Sequence, residues 1–298
     1  MLAYIFPGQG SQYVGMAKEF ADVPAAKELM QQADELLHIH LTKTMSEGPE
    51  EILRQTDFTQ PAIFLHSILA LRFTGDYPTP QAYAGHSLGE FSALCAADAI
   101  KFEDALQLVH LRGKLMAEAG KRKTGTMAAI IGMDAKILKE LCENVETETG
   151  NIVRPANYNS PGQIVVSGSV SGVHEVMRRA KEAGIRIAKE LPVSGAFHSP
   201  LMQYAADGLK EALASTAISR TKAPVFANVS AEPHGEPDSI RALLVEQLTS
   251  PVRWEESVKN MYDFGIREFT EFGPGKVLQG LVSRTLNDVK VSGIEKPE

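Results

Sequence analysis

Short apolar runs and longer amphipathic segments alternate along the first part of the chain. The run Ala3–Phe6 ends at Pro7, which is typical of a buried strand that enters a loop. Apolar positions at helical spacing predict helices at 14–37, 61–73, 91–100 and 103–119, the last of them ending at Gly120. The helix at 61–73 is apolar nearly all round, so we expect it to lie centrally in the core.

The pattern changes after the polar segment 121–125. Strands are predicted at 127–133, 153–158, 163–167 and 185–193, and helices at 134–149 and 171–183. This βαββαβ order is that of a ferredoxin-like unit. Longer helices return after residue 194, strands are predicted at 223–229 and 266–272, and the polar tail 289–298 is expected to fray.

These elements predict an α/β protein with a discontinuous larger domain. The larger domain is expected to be α/β-hydrolase-like, with a parallel sheet, and to comprise residues 1–125 and 195–298. A small ferredoxin-like α+β subdomain at 126–194 is inserted between the two segments.

Composition and charge argue against several classes of protein. A net charge of −7 without a dense Lys/Arg block argues against a nucleic-acid binder. The apolar start has no basic segment before it, and no apolar run reaches the roughly 18 residues of a membrane span, so we expect a cytoplasmic protein without membrane contact. Cys95 and Cys142 match no metal-ligand spacing, and His38 and His40 alone make no site; no metal and no tightly bound cofactor is predicted.

The segment Gly85–Gly89, GHSLG, carries one serine between two glycines. Gly-x-Ser-x-Gly is the pattern of a nucleophile elbow, where a strand turns sharply into a helix and exposes the serine hydroxyl. Side chains at the glycine positions would collide with the neighbouring strand and helix. The predicted strand before and helix after Ser87 favour this interpretation, although a glycine-rich turn with an incidental serine is the alternative.

A serine hydroxyl needs a base that accepts its proton. Most of the eight histidines fall in predicted helices or turns, and His86 is adjacent to the serine, which directs its side chain elsewhere. His198 lies in a loop between a predicted strand and helix, flanked by Gly195 and Pro200. By position alone, His198 is the leading candidate base.

Six motifs extend over almost the whole chain. They are FPGQGSQ (6–12), GHSLGE (85–90), RGKLM (112–116), GAFHSPLM (195–202), QLTSPVRW (247–254) and EFGPGKVL (271–278). In this order they resemble the malonyl-CoA:acyl carrier protein transacylases, a family that includes the bacterial fatty-acid enzymes and the acyltransferases of polyketide synthases.

The resemblance implies a role for each matching position. Ser87 would be acylated by malonyl-CoA and pass the malonyl group to the phosphopantetheine thiol of an acyl carrier protein. His198 would be the base, oriented by the backbone carbonyl of Gln247 instead of a carboxylate. The backbone N–H groups of Gln9 and Leu88 would form the oxyanion hole.

Substrate selection would depend on three more residues. Arg112 would hold the malonyl carboxylate through two hydrogen bonds, and a buried arginine would reject acetyl-CoA because it would be left unpaired. Phe197 matches the malonyl-selecting AFH pattern of polyketide acyltransferases and favours a discrete enzyme of that kind acting in trans. His86 completes the predicted substrate-binding residues.

Two other functions are compatible with parts of this pattern. A proofreading acyl hydrolase would use the same serine and histidine, but would gain nothing from a carboxylate clamp at Arg112. A non-catalytic docking subunit would not need an intact set of site residues. Because carrier proteins of this kind are acidic, basic segments at 121–123, 178–181 and Lys189 are candidate docking residues.

Overall fold

The computed structural model describes residues 1–73 and 75–297, which contain two separate β-sheets. The strands of the larger sheet are β1 (Leu2–Phe6), β2 (Ala82–Gly85), β7 (Val225–Phe226), β8 (Pro233–His234), β9 (Glu268–Phe272) and β10 (Lys290–Ile294). Their order in the sheet is β10-β9-β1-β2-β7-β8, and all pairs are parallel except that of β8 with β7. The α/β class with a parallel sheet is therefore confirmed.

Helices surround this sheet and supply most of the core. They are α1 (Pro24–Leu37), α2 (Leu41–Glu47), α3 (Glu50–Leu53), α4 (Thr56–Phe73), α5 (Gly89–Ala96), α6 (Phe102–Arg122), α9 (Gln203–Ser215), α10 (Pro237–Glu246), α11 (Trp254–Asp263) and α12 (Val277–Thr285). Every side chain of α4 from Thr59 to Ala70 is buried, because this helix packs against α6 and α5 and is apolar on most of its surface.

The second sheet and its two helices comprise β3 (Thr126–Ile131), α7 (Ala135–Thr149), β4 (Val153–Ser160), β5 (Gln163–Gly168), α8 (Val170–Glu182) and β6 (Ile187–Glu190). The sheet is antiparallel, with the strand order β4-β5-β3-β6. Asp134 and Ser169 cap the two helices through their side chains. The helices and strands enclose a hydrophobic cluster of their own, which includes Ile130 and Leu138.

Some predicted boundaries were wrong for identifiable reasons. The segment 14–37 is not one helix: a short 3-10 turn at Lys18–Asp22 precedes α1, which begins at Pro24, a residue suited to the first helical position. Helix α6 continues through Gly120 to Arg122. That glycine serves close packing, because a Cβ there would lie 2.3 Å from the carbonyl oxygen of Ser194.

The two strands predicted at 223–229 and 185–193 are shorter than expected, and the tail does not fray where expected. Residues 290–294 pair in parallel with β9 as an edge strand, β10. An edge strand needs backbone partners on only one side, and its exposed side chains can be polar. In the described residues, no helix is long and apolar enough to cross a membrane.

Candidate active site

The loop between β2 and α5 holds Ser87 at a sharp turn. Ser87 has a φ of 51°, in the left-handed region that non-glycine residues rarely adopt. A Cβ on Gly85 would lie 1.9 Å from the backbone of Gly89, and a Cβ on Gly89 would lie 2.1 Å from the carbonyl oxygen of Phe6. Only glycine fits at these two positions, since backbone atoms cannot move aside. The packing of β1, β2 and α5 therefore forces the serine outward from the turn.

Ser87 and His198 form a hydrogen-bonded pair, although they are 111 residues apart. The Oγ of Ser87 lies 2.8 Å from Nε2 of His198. The Nδ1 of the same ring lies 2.8 Å from the backbone carbonyl oxygen of Gln247. Because a carbonyl oxygen only accepts, Nδ1 carries the proton, and Nε2 is the nitrogen that accepts from the serine hydroxyl.

The environment of His198 keeps its ring neutral. Burial, which is the larger cause, and the positive charge of Arg112 together lower the pKa of His198 to about 3. Hydrogen bonding to the Gln247 carbonyl opposes these effects without offsetting them. The ring is therefore ready to accept a proton at neutral pH.

Arg112, on α6, directs its guanidinium at the same serine and is only 1% exposed. Its Nη2 donates to Ser87 Oγ at 3.0 Å and to Gln247 Oε1 at 2.8 Å, and its Nη1 donates to Gln60 Oε1 at 2.7 Å. Burial lowers the pKa of Arg112 to about 10, partly opposed by the negative charge of Glu90. The guanidinium stays charged at neutral pH, with neutral oxygens as its hydrogen-bond partners.

Ser87, His198 and Arg112 line a small cavity of about 110 Å³. All of the predicted site residues except Gln247 line it, namely Gln9, His86, Ser87, Leu88, Arg112, Phe197 and His198. Apolar side chains of Met116, Met127, Leu191 and Val193 complete much of the remaining wall. The cavity thus combines a cation and a nucleophile with a mostly apolar lining, which suits a small acyl group that carries one negative charge.

The backbone N–H of Leu88, next to the serine, is suited to bind an oxyanion. Within the described residues, the N–H of Leu88 has no backbone or side-chain acceptor, and it lies at the N-terminus of α5. Gln9 lines the same cavity from the loop after β1. Unpaired N–H groups at a helix N-terminus are suited to stabilise negative charge.

His86 points away from the serine hydroxyl towards the second sheet. Its Nε2 lies 2.8 Å from Oδ1 of Asn159 on β4, and its ring packs against Trp254. Burial lowers the pKa of His86. The contact with Asn159 connects the serine turn to the second sheet.

Three buried polar residues of the site were missed by the sequence reasoning. Gln60 holds Arg112, Asn228 holds the serine turn, and Glu90 holds both Gln247 and Asn228. Each lies in an otherwise apolar segment: TQPAIF, VFANV and EFSALC. A polar side chain inside a buried helix or strand was the available signal.

No group of three or more His, Cys, Asp or Glu residues within 1–73 and 75–297 is arranged to hold a metal ion. The two cysteines are buried, and burial raises the pKa of each thiol to about 12, which makes them poor nucleophiles and ligands.

Comparison with known proteins gives one consistent family. The model of the acyl transferase domain family matches residues 3–296. A malonyl CoA-acyl carrier protein transacylase from Bacillus subtilis is 48% identical over 299 residues, covering 100% of this chain and 94% of the relative. The protein of the same name from Escherichia coli K12 is 41% identical, covering 99% and 96%.

Solved structures agree with these relatives. The malonyl CoA-acyl carrier protein transacylase of Coxiella burnetii superposes with a TM-score of 0.94 at 42% identity, covering 99% of this chain and 94% of that one. A malonyl-transacylase solved in complex with a type II polyketide synthase acyl-carrier protein gives a TM-score of 0.93 at 38% identity, covering 99% and 96%. On this evidence the chain belongs to the malonyl-CoA:acyl carrier protein transacylase family.

Proposed function

We propose that this protein transfers a malonyl group from malonyl-CoA to the phosphopantetheine thiol of an acyl carrier protein, through an ester on Ser87. One observation carries the proposal: the serine hydroxyl is contacted by a neutral imidazole and by a buried guanidinium in the same small cavity. The first contact provides a nucleophile, and the second provides a partner for a carboxylate.

The first half-reaction follows from the orientation of the histidine ring. Nε2 of His198 takes the proton of Ser87 as Oγ attacks the thioester carbonyl of malonyl-CoA. The N–H groups of Leu88 and Gln9 receive the oxyanion of the tetrahedral intermediate. When the carbon–sulfur bond breaks, the imidazolium returns its proton to the coenzyme A thiolate, leaving malonyl on Ser87.

The second half-reaction runs through the same groups in reverse. The thiol of the carrier arm gives its proton to Nε2 of His198 and attacks the serine ester. Oγ of Ser87 leaves and recovers the proton. The Gln247 carbonyl holds Nδ1–H throughout, so a single tautomer serves both steps.

Arg112 selects the acyl group in this scheme. Its hydrogen bond to Ser87 Oγ is to a neutral oxygen, and its Nε has no hydrogen-bond partner among the described residues, so a malonyl carboxylate can provide a charged, two-pronged partner. An acetyl group offers no such partner and would leave the buried cation less well satisfied. Phe197, 5% exposed against the cavity, restricts a substituent on the α-carbon and supports preference for malonyl over methylmalonyl.

The finer description of the fold also belongs to this proposal. The strand order of the second sheet supports a ferredoxin-like subdomain at 126–194, and the serine elbow supports an α/β-hydrolase-like larger domain at 1–125 and 195–298. A cytoplasmic location, the absence of a tightly bound cofactor and the trans-acting polyketide role indicated by Phe197 stay predictions.

Some of the basic residues proposed to bind the carrier protein already form ion pairs with acidic residues of this chain. Arg178 pairs with Glu175 and Glu182, and Arg179 pairs with Glu148 and Glu175. These arginines are therefore weaker docking candidates than Lys189, which belongs to the strand β6 just before the cavity residues Leu191 and Val193. Charge reversal at Lys189 should lower carrier affinity in a salt-dependent manner.

Incubation with labelled malonyl-CoA, with and without an acyl carrier protein, tests the function. We expect label on Ser87 without the carrier, and movement of that label to the carrier thiol when it is added. Rapid release of free malonate with no loading of the carrier would instead show the acyl hydrolase that uses the same serine and histidine.

A further inference from the structure

Glu90 is a buried acid for which the mechanism above has no use. It lies in the first turn of α5, three residues after the nucleophile, and is 1% exposed. The residues that follow it, from Phe91 to Cys95, are all buried. A carboxylate placed in such surroundings is costly unless its oxygens are hydrogen-bonded, so its contacts indicate what it does there.

One carboxylate oxygen binds two residues of the site. Oε2 of Glu90 accepts from Nε2 of Gln247 at 2.8 Å and from the backbone N–H of Asn228 at 3.0 Å. The other oxygen, Oε1, lies 3.5 Å from Nε2 of His234, whose side chain is 6% exposed.

The first of these contacts fixes which way the Gln247 amide faces. A carboxylate and a carbonyl only accept, so the amide nitrogen must point at Glu90 and at the backbone oxygen of Ser87, 3.1 Å away. The amide oxygen then faces Nη2 of Arg112 at 2.8 Å. A reversed amide would set N–H groups against the guanidinium and would also remove one of the two donors to Glu90, leaving only the backbone N–H of Asn228.

The second contact supports the serine turn. Asn228, held by Glu90 through its backbone, accepts from the N–H of Ser87 through Oδ1 and donates to the carbonyl of Gly85 through Nδ2, both at 2.6 Å. The carboxylate thus connects, through two side chains, to the guanidinium and to the strained turn that carries the nucleophile.

We propose that Glu90 is a positioning residue that orients the Gln247 amide, and through it the Arg112 guanidinium, for the acyl carboxylate. This inference rests on the proposed function, because it concerns how the same site tells malonyl from acetyl. It requires that loss of Glu90 weaken discrimination between the two acyl groups and not only the overall rate.

The test measures acylation of Ser87 by malonyl-CoA and by acetyl-CoA, using intact-protein mass in Glu90→Ala, Glu90→Gln and an exposed control, Glu143→Ala. Glu90→Ala should lower the malonyl-to-acetyl rate ratio about 10-fold, the usual order for an unsatisfied buried polar group. Glu90→Gln can place its amide oxygen where Oε2 was and its nitrogen beside His234, so it should stay within about 3-fold of wild type. The control should leave the ratio unchanged.

Two further variants separate positioning from general damage. Gln247→Met keeps the backbone carbonyl that holds His198 but removes the amide, and it should lower the ratio by about as much as Glu90→Ala. In an Arg112→Ala background, Glu90→Ala should change the ratio no further, because both act through the guanidinium. If Glu90→Ala does not fold, Gln247→Met and Glu90→Gln still decide the matter.

Equal losses for both acyl groups in Glu90→Ala, or an unchanged ratio in Gln247→Met, would overturn the proposal. So would a ratio in Glu90→Gln as low as in Glu90→Ala, because charge and not amide orientation would then be responsible. Failure of the proposed function looks different, since the wild-type chain would then show no malonyl transfer.

Discussion

Arg112 and Arg178 are both arginines on helices, yet their surroundings differ in nearly every respect. Arg112 is 1% exposed and donates to three neutral oxygens around the nucleophile. The side chain of Arg178 is 54% exposed and pairs with two glutamates on its own helix. A desolvated cation without a carboxylate partner can bind an incoming anion strongly. A solvated cation that is already paired gains little free energy from binding another anion.

The two sheets differ in a similar way, since one has buried polar contacts at its strand ends and the other has ion pairs on its surface. The loops at the ends of the parallel strands β1 and β2 carry the serine turn and the Gln9 loop, where buried polar groups meet across long sequence distances. The antiparallel unit carries surface ion pairs close in sequence on α8. We therefore expect substitutions in the first region to change acyl transfer and substitutions of the exposed ion pairs in the second region to leave it unchanged. Variants in each region test this difference.

The largest effect is expected at the nucleophile. Ser87→Ala should abolish self-acylation by malonyl-CoA, a loss of about 10⁴-fold or more in transfer, because no other group occupies the position of Oγ. Intact-protein mass after incubation with malonyl-CoA measures it. Continued addition of one malonyl group to the variant would place the acylation site elsewhere.

A smaller effect is expected at the wall of the cavity. Phe197→Ser should raise transfer of methylmalonyl relative to malonyl by about 10-fold, since one methyl group in a pocket is worth roughly 1–3 kcal/mol. Competition between the two thioesters for Ser87 gives the ratio directly. An unchanged ratio would mean that the ring does not limit the space beside the α-carbon.

A still smaller effect is expected from pH. Because the pKa of His198 is lowered to about 3, the ring stays unprotonated as pH falls from about 8 to about 5.5. The rate at which Ser87 reacts with an uncharged fluorophosphonate should therefore be nearly flat over that range. A loss of rate centred near about 6.5, the ordinary value for histidine, would contradict the described environment of the ring.

No effect is expected on the exposed helix. Arg178→Ala and Arg179→Ala should leave malonyl transfer unchanged and shift the melting temperature little, because exposed ion pairs are weak and screened by salt. Thermal unfolding and carrier loading measure the two quantities. Loss of carrier loading in either variant, with self-acylation intact, would return these arginines to the docking surface.

Much of the fold could be predicted because the spacing of apolar residues along the chain indicates helices and strands directly. The βαββαβ order between Thr126 and Glu190 follows from alternating periodicities that the chain itself displays. The edge strand β10 was missed because the tail that contains it is mostly polar, and because the strand depends on backbone pairing with β9 that the sequence does not display. Strand 223–229 was overestimated, because the pattern shows which residues are apolar but not where pairing stops.

The site likewise contains some residues that the sequence indicates and others that only the structure brings together. The glycines around Ser87 reveal a sharp turn locally, and GAFHSPLM and the other motifs supply His198 and Arg112 through resemblance. The contacts of Gln60, Glu90 and Asn228 join residues 52 to 157 positions apart, and no spacing rule relates such positions. Only the packed structure brings these side chains together.

The central claim is that the Arg112 guanidinium lies in the cavity of Ser87 and His198 and selects the acyl group. It is tested most directly by offering equal malonyl-CoA and acetyl-CoA to the wild type and to Arg112→Ala, and measuring by mass which acyl group is bound to Ser87. We predict almost only malonyl on the wild type, and a ratio at least about 10-fold lower on the variant, since one charge-assisted contact is lost. An unchanged ratio in a folded variant that still acylates Ser87 would contradict the account.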